Sequence, residues 1–310
     1  MRPEPELGPQ QPVEPVPDET VPAGEGALSR PPRLPRLRKM FSTPASIAAG
    51  IGLGVVVVLA LFAPWIAPFD PNATDLMRIY ERPGRDHWLG TDNLGRDQLS
   101  RIIFGTRTSM LAAVQAVGLA MVIGVPLGLT AGYVRGWVDT ILSRINDAVL
   151  SVPGLILAIA VVSVLGPGLT NAMLAVGLVM SPWFFRVVRA ATLNVRDETY
   201  IEASIGLGCS ERQVLVGHVV PNIMAPLLVQ TSFALGFAVI IEASLSFLGL
   251  GVRPPMSSWG GLLLSASQRL DIPHLIYPPG VALVFTIAVF TVLGDAWRDS
   301  LGVDRSGNGG

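Results

Sequence analysis

Long uncharged runs separated by short polar segments dominate the chain after residue 40. An apolar helix of about 20 residues is needed to cross the hydrocarbon core of a bilayer. The run 148–185 is too long for one such helix, and the turn Gly166-Pro167-Gly168 divides it in two. The pattern therefore predicts an all-α, polytopic membrane protein with six transmembrane helices, at about 45–67, 108–132, 148–166, 169–187, 221–243 and 273–295.

A polar segment, residues 198–222, separates the fourth and fifth predicted spans. Its first half ends at Gly208, a residue that suits the positive φ often found at a helix C-terminus. Ser210 and Gln213 form a capping-box pattern that starts a second helix, and Pro221 limits where that helix ends. The segment therefore predicts two short helices joined by a tight turn, an arrangement suited to contact with a soluble partner.

Two acidic side chains near the apolar runs each allow two interpretations. Glu202 could face a partner, or it could close a capping box with Thr199 in an ordinary interfacial loop. Glu242 stands at the end of the apolar run 221–241, where a carboxylate is costly unless it faces protein or water. It could line a transport pathway, or it could anchor the helix end through a hydrogen bond to a neighbour.

Charge around the first predicted span indicates how the chain crosses the membrane. Residues 1–40 are rich in proline and end in a basic cluster directly before the apolar run. This composition predicts a disordered tail, and the basic cluster favours a cytoplasmic N-terminus. Six spans then place the C-terminus in the cytoplasm as well, with the transmembrane domain at 41–305 and a flexible tail at 306–310.

Two polar segments, 70–107 and 252–271, are predicted to be external loops on this topology. Within the first, residues 96–104 carry their apolar side chains on one helical face and their charges away from it, which predicts an interfacial helix. His87 has no second histidine, cysteine or paired acid at ligand spacing. We therefore expect a surface histidine or a hydrogen-bonded one rather than a metal ligand.

Three glycines recur at intervals of four residues in the second predicted span. Gly124, Gly128 and Gly132 fall on one helical face. This spacing of small residues lets two helices approach closely in lipid. We therefore expect these glycines to mark a helix-packing surface.

Composition supports a membrane protein and narrows its chemistry. Half of the 310 residues are hydrophobic and 15% are charged, which is too apolar for a soluble domain of this size. The net charge of −1 indicates no nucleic-acid-binding surface. The single cysteine, Cys209, cannot form an intramolecular disulfide.

Motifs of catalysis and nucleotide binding are missing from the sequence. The only lysine, Lys39, is followed by Met40, so no Walker A loop is present and the chain cannot be its own P-loop ATPase. The sequence contains neither HExxH nor GxSxG, and its three histidines lie in different segments. We therefore expect a non-catalytic protein with no metal site.

Three stretches of the chain resemble motifs of a known transporter family. Residues 198–222 resemble the EAA loop that marks the membrane subunits of ATP-binding-cassette (ABC) importers. Residues 87–101 and 242–260 resemble segments of the permeases that serve dipeptide, oligopeptide and nickel importers. Trp88 and Ser204 stand where these families commonly have proline and alanine.

The resemblance covers about residues 45–305 and implies the permease fold of type I ABC importers. It also implies that the EAA-type loop contacts an ATPase subunit. The residues so assigned are Tyr200, Glu202, Ala203, Ser204, Gly208, Ser210, His218 and Pro221.

The same resemblance implies the rest of the transport system. Expected partners are a second homologous permease subunit, two ABC ATPase subunits, an extracytoplasmic substrate-binding protein and the lipid bilayer. ATP and Mg²⁺ are expected in the ATPase subunits, with no cofactor in this chain. The implied cargo is a di- or oligopeptide carried across the cytoplasmic membrane of a prokaryote. The rival hypothesis is a secondary transporter or channel driven by an ion gradient.

Overall fold

The computed structural model describes residues 43–301, so the predicted tails at 1–40 and 306–310 lie outside the described part of the chain. Residues 43–301 fold into ten α-helices and one short π-helix, without a β-strand in that range. The α-helices are α1 (Pro44–Ile66), α2 (Gln98–Val134), α3 (Gly136–Leu150), α4 (Gly154–Leu165), α5 (Leu169–Arg196), α6 (Thr199–Gly206), α7 (Glu211–Val214), α8 (Val220–Phe247), α9 (Trp259–Ser267) and α10 (Pro273–Leu301). The π-helix, Leu215–Val219, joins α7 to α8.

Five helical stretches in the described range are long and apolar enough to cross a membrane. They are α1, α2, α5, α10 and the continuous stretch Glu211–Phe247 that contains α8. Helices α3 and α4 pass the same test only as a pair, bent by 88°. The predicted all-α, polytopic class is confirmed, with five candidate crossings in the described range, or six if the bent pair forms one.

Contacts between connecting segments place the turns of the chain at two opposite ends. At one end, the Phe69 amide donates to Ser100 Oγ at 3.1 Å, and the Gly168 amide donates to Leu250 O at 3.2 Å. At the other end, Arg135 after α2 forms an ion pair with Asp197 after α5. We call residues 67–101 the cap and residues 198–222 the elbow. Successive crossings run in opposite directions, so residues 43 and 301 both lie at the elbow end.

The third predicted span, 148–166, differs from the observed structure. Helix α3 ends at Leu150 and α4 begins at Gly154, so the chain bends at the start of the predicted helix. The physical reason is Pro153, which disfavours helical geometry in the residue before it and lacks the N–H needed to continue the helix. At roughly 1.5 Å per residue α4 covers only about 18 Å, so it needs α3 to complete a crossing.

Two segments predicted to be peripheral are part of the packed structure. The predicted interfacial helix at 96–104 is instead the first turns of α2, which begins at Gln98 and runs without a break to Val134. The predicted external loop at 252–271 contains α9, whose first residue, Trp259, is fully buried. In both cases long-range packing determines the position of a segment whose local polarity favours the surface.

The predicted glycine surface of α2 lies directly against α5. A Cβ added to Gly128 would sit 2.7 Å from Phe185 O, and one added to Gly132 would sit 2.7 Å from Thr192 Cβ. The same addition at Gly124 would collide with the Ser181 carbonyl. No larger side chain fits here without moving a backbone, so these three glycines allow the close approach of α2 and α5.

Candidate functional site

The elbow is two short helices joined by a glycine turn. Gly208 has φ +88°, a backbone conformation that L side chains rarely adopt, and no other residue lies within 4 Å of the position of its missing Cβ. Ser210 starts α7 with the predicted capping box, because Gln213 N donates to Ser210 Oγ and Ser210 N donates to Gln213 Oε1. Local turn chemistry alone therefore produces the bend.

An aromatic and polar cluster closes the base of the elbow. The rings of Tyr200 and His218 meet edge to face with centroids 5.9 Å apart. Asn222 Nδ2 donates to Tyr200 Oη at 3.0 Å and to the His218 carbonyl at 2.7 Å. Burial, and then the nearby Glu198 carboxylate, raise the pKa of the Tyr200 hydroxyl. This cluster connects the first turn of α6 to the start of α8.

The two faces of the elbow differ sharply in burial. Ile201, Val214 and Val219 point into the protein and are essentially inaccessible to solvent. Leu207 at the tip is 87% exposed, and Ile205 beside it is half exposed. Sequence reasoning missed these two as surface residues, although two apolar residues that alternate with Gly206 and Gly208 in a polar segment were a usable signal. The elbow therefore has an apolar anchor beneath and an apolar tip on the outside.

Glu202 does not close the capping box that was the alternative interpretation. Helix α6 begins at Thr199 with Glu198 as its N-cap residue, and no side chain there makes a capping hydrogen bond. The Glu202 side chain is exposed, as is its neighbour Ala203. Ser204 donates to the Tyr200 carbonyl at 2.8 Å, which satisfies its hydroxyl within the helix. Glu202 is thus free to meet another molecule.

The other acidic residue singled out from the sequence, Glu242, lies in α8, far from the elbow. Helix α8 continues to Phe247, so Glu242 stands inside the helix and not at its end as the sequence suggested. The residue is fully buried. The Ser109 hydroxyl donates to its Oε2 at 2.9 Å, and the Ser246 hydroxyl donates to Oε1 at 2.7 Å. This geometry fits an anchor between helices better than a residue that lines an open pathway.

Part of the cap is a buried cluster of charged residues around Asp92. Arg96 Nε donates to Asp92 Oδ2 at 2.8 Å, and Arg101 Nε lies 3.3 Å from the same oxygen. The prediction that Arg96, Asp97 and Arg101 lie on the polar face of an interfacial helix is wrong, because all three are buried. His87 Nδ1 lies 2.9 Å from Asp97 Oδ1, so this histidine is hydrogen-bonded, as expected. Asp97 also caps α2 by accepting from the Ser100 amide.

Comparison with known proteins agrees with this architecture. A family model described as "Binding-protein-dependent transport system inner membrane component" matches residues 124–302, which is more than half of the chain. The chain belongs to this family. A second model, the N-terminal TM domain of oligopeptide transport permease C, matches residues 36–83. The protein is therefore an ABC importer permease subunit of the inner membrane.

Curated relatives cover most of this permease. The glutathione transport system permease protein GsiD of Pectobacterium atrosepticum is 41% identical over 266 residues, which cover 85% of this chain and 88% of the relative. GsiD of Escherichia coli is 40% identical over 258 residues, which cover 83% of this chain and 85% of the relative. Both alignments extend well beyond either family model alone.

A solved structure supports the type I importer fold. A chain of the MetNI methionine ABC transporter, in an inward-facing conformation, superposes with a TM-score of 0.55 at 20% identity. The match covers 66% of this permease and 96% of that chain. At this level of identity the likeness concerns the fold alone.

Proposed function

We propose that this permease imports small peptides, glutathione or a peptide of similar size among them. The proposal is supported by the relatives, which are glutathione transport permeases at about 40% identity over more than four fifths of the chain. The match of the first span to an oligopeptide permease domain points to the same class of substrate. The described residues provide a scaffold for passage through the membrane. Transport then depends on movement of the helices, and no residue of this chain needs to do covalent chemistry.

The elbow is the proposed contact for a separate ATPase subunit, and its geometry is the observation that carries the coupling proposal. It combines a buried underside, a left-handed glycine turn and an exposed tip at Leu207. Through the π-helix it continues directly into α8. A push on the tip is therefore transmitted to a long helix, since short capped helices resist bending better than coil.

The remaining partners follow from the same proposal. ATP and Mg²⁺ bind the two ATPase subunits, because this chain has no lysine in a Walker A context. A second permease subunit completes the membrane pathway, and an external binding protein delivers the peptide. On this topology the elbow lies in the cytoplasm and the cap lies outside. Closure of the ATPases moves the paired permeases from inward-open to outward-open, and hydrolysis resets them.

Uptake by the intact importer in proteoliposomes tests this function. With the binding protein present, we expect labelled glutathione or a labelled dipeptide to accumulate only when ATP and Mg²⁺ are supplied on the ATPase side. An ionophore should leave the initial rate unchanged, because no ion gradient drives the cycle. Uptake that survives ATP depletion and collapses with the ionophore would instead establish the secondary transporter.

A further inference from the structure

Helix α8 connects the elbow to Glu242 without interruption. It begins at Val220, directly after the π-helix, and keeps helical geometry through Glu242 to Phe247. At roughly 1.5 Å per residue, Glu242 lies about 33 Å along the axis from the first residue of α8. The elbow and Glu242 therefore stand on one continuous helix, which contains Pro226 near its start.

The Glu242 carboxyl group joins three separate parts of the chain. Ser109 comes from α2 and Ser246 from the next turn of α8, and both hydroxyls donate to it. The Ser258 hydroxyl, at the N-cap of α9, also interacts with this carboxyl group. The carboxyl group is therefore the common acceptor of a hydroxyl cluster.

The loop between α8 and α9 is packed tightly over this cluster. Ser246 Oγ, which donates to Glu242, also accepts a hydrogen bond from the Val252 amide at 3.3 Å. A Cβ added to Gly251 would sit 2.8 Å from Ser246 Cα, and one added to Gly260 would sit 2.6 Å from Ala243 Cα. The loop cannot shift relative to α8 without breaking these contacts.

The same loop is fastened to the outer end of α2. Ser257 Oγ donates to the Arg101 carbonyl at 2.9 Å, and Trp259 Nε1 donates to the Ile102 carbonyl at 3.3 Å. Helix α2 thus holds both Ser109 and the start of α9. The outer ends of α2 and α8 and the loop 248–258 form one unit, with Glu242 at its centre.

We propose that Glu242 is a positioning residue for transport, which locks the outer end of α8 to α2 and to the loop 248–258. Motion that an ATPase imposes at the elbow then moves the external loop with α8, so that opening outside is coupled to nucleotide turnover inside. This role rests on the proposed coupling at the elbow. Without the lock, α8 would move while the loop stayed with α2, and ATP would be hydrolysed without transport.

Substitutions in the hydroxyl cluster test this role in the assembled importer, with uptake and ATP hydrolysis measured in the same proteoliposomes. Glu242→Ala removes the common acceptor, and we expect uptake per ATP hydrolysed to fall about tenfold, within the usual range of coupling between sites. Ser246→Ala removes the hydroxyl that donates to Glu242 and accepts from the Val252 amide, and should lower uptake per ATP hydrolysed by about fivefold or less. Glu242→Gln keeps an acceptor oxygen and should retain most of the coupling.

Ser244→Ala is the matched control for Ser246→Ala. Ser244 lies on the same helix two residues away, is only half-buried, and its hydroxyl donates to the Ile240 carbonyl of its own helix. Its removal should leave uptake per ATP at the wild-type value. A purely structural role for Glu242 would reduce the amount of assembled importer but not this ratio.

Two results would overturn the inference and are distinct from failure of the proposed function. If Glu242→Ala and Ser246→Ala both keep the wild-type ratio, the lock has no part in coupling. If Glu242→Ala does not assemble, Ser246→Ala and Ser109→Ala carry the test, and unchanged ratios in both reject the role. Failure of the proposed function would appear earlier, as uptake by the wild-type importer that does not depend on ATP.

Discussion

The cap and the elbow are both polar segments between membrane-crossing helices, yet they use their polar residues in opposite ways. In the cap, Asp92, Arg96 and Arg101 are buried, and both guanidinium groups lie within ion-pair distance of the Asp92 carboxylate. In the elbow, Glu202 and the Ser210–Gln213 capping box are exposed, and an apolar residue, Leu207, forms the tip. The cap therefore joins helix ends of this chain, whereas the exposed face of the elbow is available to bind another subunit.

This contrast gives each end a different expected response to mutation. A buried ion-pair network supports the fold, so damage to it should lower the stability of the protein. An exposed segment contributes little to stability, so damage to it should change function while the protein stays inserted. The following variants test this division from the largest expected effect to the smallest.

Removal of the central carboxylate of the cap should have the largest effect. Asp92→Ala leaves the buried Arg96 and Arg101 guanidinium groups without their shared partner, and we expect a loss of about 3–5 kcal/mol in the free energy of unfolding. Thermal unfolding of the purified importer and the amount of inserted protein measure this loss of stability. The matched control is Asp86→Ala, whose exposed ion pair with Arg78 contributes at most about 1 kcal/mol. Equal losses in both variants would contradict the structural role of the cap.

A bulky residue at the turn of the elbow should abolish transport while the protein stays in the membrane. Gly208→Val places a β-branched side chain at φ +88°, which forces the turn to rearrange. Uptake of labelled peptide and co-purification of the ATPase subunits measure the result. Gly206→Val is the control, since Gly206 lies nearby at the end of α6 with an ordinary φ and open space around it. Normal uptake and normal ATPase co-purification in Gly208→Val would count against the docking role.

Reversal of the exposed charge on α6 should also stop transport. Glu202→Lys changes the sign of a side chain that faces away from the protein, so its effect on the stability of this chain should be within about 0.5 kcal/mol. We expect uptake to be lost and binding of the ATPase subunit to be weakened. Glu211→Lys is the matched control, because it reverses the charge of another exposed acid, on α7. Comparison of the two variants shows how far the loss of uptake depends on the position of the reversed charge. Wild-type uptake in Glu202→Lys would show that this face meets no partner.

Truncation of the apolar tip should have the smallest of these effects. Leu207→Ala removes a side chain that packs against nothing in this chain, and we expect ATPase association to weaken by about five- to tenfold, as for a moderate interface hot spot. Stability should not change. Leu76→Ala in the cap is the control, because Leu76 is also an exposed leucine but lies at the opposite end. If the two variants affect association equally, the tip has no special part in it.

Residue type and spacing were enough to predict the parts of this permease that depend on interactions between residues close in the sequence. Uncharged runs located the crossings, and the Gly208 turn and the Ser210 capping box were predicted from residue type and spacing. The predicted fold class is confirmed by the structure and by the match to a type I importer. The contacts of the elbow with an ATPase stay a prediction.

Long-range contacts account for what sequence reasoning missed. Arg96, Asp97 and Arg101 were expected on the polar face of an interfacial helix, but all three are buried, and Arg96 and Arg101 lie against Asp92 in the interior. Ser109 and Glu242 are far apart in the sequence, so their hydrogen bond could not be inferred from spacing. The bend between α3 and α4 followed from Pro153, whose effect was hidden within a continuous apolar run.

Cross-linking from Cys209 tests the central claim most directly, because this residue is the only cysteine of the chain and lies exposed in the elbow. A thiol-directed photo-cross-linker attached there in the intact importer, with Cys209→Ser as the control, reports what the elbow touches and from which side it is reached. The account predicts an adduct with an ATPase subunit that changes in yield when ATP is added, and labelling only from the cytoplasmic side. Labelling of intact cells by a membrane-impermeant reagent, or an importer in which no nucleotide-hydrolysing subunit is captured, would contradict it.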